Sequence, residues 1–285
     1  GEILGAVQIV HGMMEHTGRY RETAEWLADR GIAVYGHDHL GHGRTAAEKE
    51  DLGYFGDRDG EFSLVKDVLR LTLYGKRRYR GKRLFLLGHS MGSYLLRRYL
   101  SVYGGGLSGA VIMGTGANPD AVAKLGMAIC KAIAAFKGWK YRSPFMEKLF
   151  FSGDFQKFDM DGTHPENSWL TKDTEIVRFY YSEPRCTFKF TLKAYYDFLK
   201  TVYYVNRKEN VEKIPKDLPI LMVAGDCDPV GEFGKAVKRV YEMYKAAGIN
   251  DVTLKLYEND RHEILNETDK ERVFDDIFNW CESRQ

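Results

Sequence analysis

The segment Gly88-His89-Ser90-Met91-Gly92 sets a serine between two glycines, directly after the apolar run Leu84–Leu87 and before an amphipathic stretch reaching Leu100. A strand before and a helix after is the context of a nucleophile elbow, in which the serine occupies a strained turn and the small neighbours let backbones approach closely. Its hydroxyl then projects above a sheet at a helix N-terminus, where developing negative charge is favoured. Such a hydroxyl needs a base to take its proton, and the base needs an acid to orient it. After an elbow of this kind the partners follow in the order Ser, Asp/Glu, His, at the ends of later strands. Gly225-Asp226-Cys227-Asp228-Pro229-Val230 offers two acids, Asp226 and Asp228, after the strand-like Pro219–Ala224. Asn259-Asp260-Arg261-His262-Glu263 offers a base, His262, after Val252–Leu256. Aspartate is also a turn residue, so one of the two acids is expected to serve only the turn.

An oxyanion formed on attack by Ser90 needs two backbone N–H donors. One is expected from Met91 and the other from Met13, in the loop His11-Gly12-Met13-Met14-Glu15-His16 that follows the first strand. Gly12 would permit the sharp turn. Gly12, Met14 and His89 are expected to border the substrate, with methionine side chains as an apolar wall.

These loops require a scaffold of alternating strands and helices. Strand-like runs at Ala6–Val10, Ile32–Tyr35, Leu84–Leu87 and Gly109–Met113 alternate with helical spacing at Arg21–Arg30, at Glu61–Tyr74 and from the elbow through Leu100. This predicts a mostly parallel sheet covered on both faces. The rhythm stops over residues 115–210, which hold 19 of the 38 aromatic residues in helix-and-loop patterns. It resumes with strand Pro219–Ala224, helix Glu232–Ala247, strand Val252–Leu256 and helix Asp269–Trp280. The expected division is an α/β core of residues 1–114 and 211–285 with a helical, aromatic-rich cap at 115–210.

Three motifs carry a family resemblance: His11-Gly-x-x-Glu-His-x-x-Arg-Tyr20, Gly36-His-Asp-His-x-Gly-His-Gly-Arg44 and Gly88-His-Ser-Met-Gly92. Together they resemble the monoacylglycerol lipase/lysophospholipase branch of the α/β-hydrolases, which is also described as serine aminopeptidase-like. Trp169-Leu-Thr-Lys-Asp173, Glu183-Pro-x-Cys186 and Phe190-Thr191 resemble that family's cap. The resemblance implies Ser90 as nucleophile, Asp228 rather than Asp226 as acid, His262 as base, and Met13 and Met91 as oxyanion donors. It also implies hydrolysis of fatty acyl esters of monoacylglycerol or lysophospholipid type, with no cofactor. The same triad could serve a peptidase or amidase, for which Glu166 or Glu183 in the cap would anchor an amino terminus, a short-chain carboxylesterase, or an acyltransferase. Family members usually open with two antiparallel strands and often carry a small residue where Met13 and Met14 stand. Missing N-terminal sequence and a bulkier pocket wall are therefore expected.

With 42 Lys+Arg against 40 Asp+Glu, the net charge of +2 argues against a nucleic-acid binder. The longest apolar stretch, Ala121–Phe136, is interrupted by Lys124 and Lys131 and falls short of a membrane span. Its stripe Val122, Leu125, Ile129, Ile133 and Phe136 is expected to be mainly cap core; the alternative is an apolar rim for transient membrane-surface contact. Cys130, Cys186, Cys227 and Cys281 are widely spaced, which suggests free thiols and a cytoplasmic setting. His37, Asp38, His39 and His42 have metal-ligand chemistry, but a Gly-rich loop is expected to send them in divergent directions, so no metal is expected. The basic run Lys76–Arg83 is expected at the end of the sheet away from Ser90, as a solvated helix C-terminus.

Overall fold

The computed structural model describes residues 2–284. Six strands, β1 (Gly5–Val10), β2 (Ile32–Gly36), β3 (Arg83–His89), β4 (Gly109–Met113), β5 (Ile220–Gly225) and β6 (Val252–Tyr257), form one all-parallel sheet in the order β2-β1-β3-β4-β5-β6. The four inner strands are buried almost throughout, as continuous apolar runs covered on both faces must be. Alternate side chains feed two cores. Phe85, Leu87, Val111 and Val223 meet one layer of helices, while Leu86, Ile112 and Met222 meet the other. This is the α/β-hydrolase arrangement expected from the sequence.

The helices are α1 (Arg21–Ala28), α2 (Gly60–Arg78), α3 (Met91–Tyr103), α4 (Asp120–Lys137), α5 (Pro144–Phe150), α6 (Thr174–Ser182), α7 (Leu192–Val205), α8 (Lys208–Val211), α9 (Lys235–Ala246) and α10 (Glu271–Glu282). Helix α2 outruns its apolar pattern by a basic last turn, Lys76-Arg77-Arg78. Lys76 Nζ caps Gly105 O at 2.9 Å, and Arg83 donates to Cys281 O at 2.9 Å and Glu282 O at 2.7 Å. The basic run thus lies at the opposite end of β3 from Ser90 and satisfies carbonyls there. Helix α9 begins later than its periodicity suggested, because Glu232, Phe233 and Gly234 take φ of 50°, 55° and 82°.

Between β4 and β5 lie α4 to α8. Helix α7 packs against α2, α3 and α4, so the last long helix of the insertion is built into the body. Helix α4 meets α7 through small residues, Ala123, Gly126, Cys130 and Ala134. A Cβ on Gly126 would approach Leu199 Cδ1 to 2.8 Å, so the leucine side chain would have to give way to it. The large residues of α4 therefore point outward. Val122, Leu125 and Phe136 are 53%, 63% and 89% exposed, which corrects the expectation of cap core for these three residues of the stripe. Ile129 and Ile133 are partly buried.

Candidate active site

The register aligns Val10 with Gly88, His89 with Met113, and Gly225 with Tyr257. The loops after β1, β3, β5 and β6 consequently leave the same carboxyl edge of the sheet, where sites of parallel α/β folds form. At the end of β3, Ser90 has φ 52° and ψ −124°, a left-handed strain that a non-glycine residue adopts only when its surroundings enforce it. The enforcement is visible. A Cβ on Gly92 would fall on Val10 O, and one on Gly88 would lie 2.6 Å from Gly92 O. Ser90 N also donates to Met113 O at 3.0 Å, tying the turn to β4.

His262 and Asp228 are both sealed from solvent, with His262 Nδ1 3.0 Å from Asp228 Oδ2. Asp228 Oδ1 accepts from Val230 N at 2.8 Å. A proton on Nδ1 satisfies the carboxylate and leaves Nε2 with a free lone pair, and Nε2 has no hydrogen-bond partner. Asp226 instead accepts from Asn259 N at 2.8 Å. Of the two candidate acids, Asp226 holds the turn and Asp228 holds the imidazole.

Ser90, His262, Met13, Met14, Met91 and His89 border one cavity of about 360 Å³. Gly12 does not border it, contrary to expectation. Its N–H is taken by Glu15 Oε1, and a Cβ there would sit 3.0 Å from Ser90 Cβ, so the glycine lets the loop pass the serine rather than touching substrate. Met14 takes φ 54°, completing that turn. Much of the remaining lining is apolar, from Met146, Leu149, Phe150, Phe151, Phe155 and Leu199 of the insertion.

Behind His262 lies a buried charged network in which His89 joins Glu15, Arg19, Tyr20 and Glu263, four residues that stood in the motifs without an assigned role. Arg19 grips Glu263 through two bonds of 2.6 Å and reaches Glu15 Oε2 at 3.2 Å. Tyr20 donates to Glu15 at 2.9 Å. His89 places Nδ1 3.1 Å from Glu15 and Nε2 3.3 Å from His262 O. Burial alone would lower the His89 pKa, but the Glu15 hydrogen bond and charge outweigh it and raise the value. Burial likewise opposes the Glu15 charge, yet His89 and Arg19 hold that carboxyl far below its usual range. The i,i+4 spacing of Glu15 and Arg19 was the available sequence signal.

The histidines of the 37–42 loop converge rather than diverge. His11 lies 4.1 Å from His39 and 5.3 Å from His42 between ring centroids, and His37 lies 5.1 Å from His39. Some of their nitrogens meet backbone: His39 N donates to His11 Nε2 at 2.9 Å, and His42 Nδ1 lies 3.1 Å from Leu40 O, while both His37 ring nitrogens, His39 Nδ1 and His42 Nε2 are buried with no hydrogen-bond partner. Asp38 is turned to Thr17 N at 2.9 Å and Arg44 N at 2.8 Å. Among the described residues no cluster of His, Cys, Asp and Glu is placed to hold a metal ion. Burial pushes His37 down to about 4 and His42 to about 3, keeping both rings neutral near pH 7. Burial also raises the pKa of Cys227, which makes it a poor nucleophile.

The family model described as "Serine aminopeptidase, S33" matches residues 1–269. The chain belongs to this family. It is 30% identical over 282 residues to a monoglyceride lipase homolog of Monkeypox virus, covering 98% of this chain and 89% of the relative. It is 28% identical over 284 residues to a monoacylglycerol lipase of Mycolicibacterium smegmatis, covering 98% and 88%. A thermostable carboxyl esterase from Bacillus coagulans, solved with glycerol, superposes with a TM-score of 0.90 at 28% identity, over 100% of this chain and 91% of that one. This S33-family chain is therefore an α/β-hydrolase of the carboxylic ester hydrolase class.

Proposed function

We propose that this S33-family hydrolase cleaves esters of fatty acyl chains, of monoacylglycerol or lysophospholipid type, through an acyl-enzyme on Ser90. The observation that carries the reading is one cavity bordered by Ser90 and His262 and, over most of its lining, by apolar side chains. His262 Nε2 takes the Ser90 proton as Oγ attacks the acyl carbonyl, and Asp228 holds the ring and the imidazolium that forms. The N–H groups of Met13 and Met91 receive the oxyanion. His262 then protonates the leaving alcohol, and water deacylates Ser90 by the same steps in reverse roles. Residues 115–210 act as the cap that closes the cavity over the acyl chain.

Val122, Leu125 and Leu149 border the cavity and are also 53%, 63% and 40% exposed, so its mouth has an apolar rim. That rim supports transient contact with a membrane surface, from which a lipid ester could enter without crossing water. Among the described residues no helix is long and apolar enough to cross a membrane. Unpaired Cys130, Cys186, Cys227 and Cys281 support a reducing, cytoplasmic setting. The two cap carboxylates suggested for the peptidase alternative do not serve it: neither Glu166 nor Glu183 borders the cavity, and Glu183 pairs with Arg185 at 2.8 Å, whereas Asp154 and Glu232 do border it. Matched esters and amides of one acyl chain test the choice; ester turnover abolished by Ser90→Ala, with little amide turnover, is the expected result. Amide turnover equal to or above that of the ester would favour the peptidase.

A further inference from the structure

The His262 imidazole is held between two rings. His89 covers one side with a centroid distance of 4.7 Å and a 39° interplanar angle, and Trp169 stacks on it at 5.1 Å and 29°. Trp169 belongs to the insertion, far from β6 in sequence, yet the two segments are bound along their length. His262 N donates to Trp169 O at 3.3 Å and Glu263 N to Leu170 O at 2.7 Å. Arg261 donates to Ser168 O, to Thr171 O at 3.3 Å and to Glu166 O at 3.0 Å. Thr171 Oγ1 meets Glu267 at 2.9 Å, and Lys172 Nζ meets Asp260 at 2.7 Å. Residues 166–172 thus form a strap along the loop that carries the base.

Asp228 fixes only one atom of the imidazole, and rotation about that contact would swing Nε2 away from Ser90, since terminal ring torsions are broad. A face-on indole blocks that swing, and its electron-rich face favours the ring when positively charged. The same indole touches Phe155 at 5.3 Å and Phe151 at 6.1 Å, and both phenylalanines line the cavity. We infer that Trp169 is a positioning residue for the base: the cap, through the 166–172 strap, orients His262 and connects the acyl wall to it. This rests on the Ser90–His262 reading given above.

Trp169→Leu keeps apolar volume but removes the aromatic face, Trp169→Ala removes both, and Trp169→Phe is the conservative rescue. The groups that set the charge around His262, namely Asp228, His89, Glu15, and Glu263 with Arg19, are the same in all three. Two readouts separate positioning from wall-building. In steady-state hydrolysis of p-nitrophenyl acetate, Trp169→Leu is expected to lower kcat roughly tenfold with KM little changed, and Trp169→Phe to recover most of it. Trp169 itself borders the cavity, and a residue that only lines the wall would raise KM, most of all for long-chain esters, and leave the acetate kcat intact. That result overturns the inference. The second readout follows the His262 ring by NMR and needs no turnover. In Trp169→Leu the nuclear Overhauser contact between the His262 ring and Ser90 should be weakened or lost; the same contact in both proteins would overturn the inference even if Trp169→Ala fails to fold. If wild type and Ser90→Ala are equally inert on the acetate ester, the functional reading fails, and the NMR contact still decides whether Trp169 orients His262.

Discussion

Asp228 Oδ2 lies 3.0 Å from His262 Nδ1, with both side chains closed to solvent, while the neighbouring acid Asp226 faces Asn259 N. One turn therefore contains an aspartate for chemistry and another for backbone. Asp228→Asn should reverse the hydrogen-bond polarity at Nδ1, disfavour the tautomer with a free Nε2, and lower kcat by roughly 10³–10⁴ with KM little affected. Asp226→Asn should keep kcat within a few-fold and cost about 1 kcal/mol of stability. Steady-state kinetics and denaturant unfolding on both variants check the assignment; equal kinetic losses would contradict it.

Gly12→Ala tests the loop that would carry the Met13 donor. Its Cβ would lie 2.6 Å from Glu15 Oε1 and 3.0 Å from Ser90 Cβ, so the loop must shift. A displacement on the order of 1 Å is expected to lower kcat by roughly 10²-fold. A variant with wild-type kcat would show that the loop has no part in the chemistry.

The buried quartet Glu15, Arg19, Glu263 and His89 is balanced, two negative against two positive, only while His89 is charged. The His89 pKa is raised above 6.5, because the Glu15 interactions outweigh the opposing burial, so its stabilisation is full below pH 6.5 and lost as pH rises through the raised value. Despite burial, Glu15 and Glu263 are lowered by His89 and Arg19, so their contribution is present above about pH 4.5 and lost as pH falls through the lowered values. Wild type should exceed Glu15→Gln most between about pH 4.5 and 6.5, by roughly 3 kcal/mol, with the gap narrowing at alkaline pH. Urea unfolding across pH 4–9 measures it, and a gap that widens toward pH 9 would refute the charge assignment.

The exposed rim is tested away from the cavity. Phe136 and Phe145 are 89% and 59% exposed and do not border the cavity. Phe136→Glu and Phe145→Glu should each weaken co-sedimentation with phosphatidylcholine vesicles about tenfold. Their rates on dissolved short-chain esters should stay at the wild-type level. Vesicle binding unchanged in the double variant would remove the membrane role from this face.

Much of the site could be read from the chain because its chemistry is local. An elbow needs glycines at fixed offsets from Ser90, and the partners need only follow later strands, so residue type and order identify Ser90, His262 and a pair of acids. Residue type alone left both acids open, since both suit a turn; the family resemblance implied Asp228, and the side-by-side β5 and β6 loops set Asp228, not Asp226, against His262. The Glu15–Arg19–Glu263 network escaped because it closes only when the loops after β1 and β6 meet, which no local pattern encodes. Trp169 looked like one more cap aromatic for the same reason. On α4 the stripe of large apolar residues suggested a buried face, but a close crossing with α7 selects small residues, Ala123 and Gly126 among them, and turns the large ones outward. The histidines after β2 were expected to diverge because loop geometry cannot be read from glycine content; burial against His11 gathers them.

The central claim is an acyl-enzyme on Ser90 fed by an apolar cavity. Hydrolysis of short-, medium- and long-chain monoacylglycerols and of lysophosphatidylcholine, by wild type and Ser90→Ala in parallel, tests it most directly. The account predicts turnover that favours medium or long acyl chains and is abolished in Ser90→Ala. Equal activity, or equal inactivity, of the two proteins on every ester would contradict it.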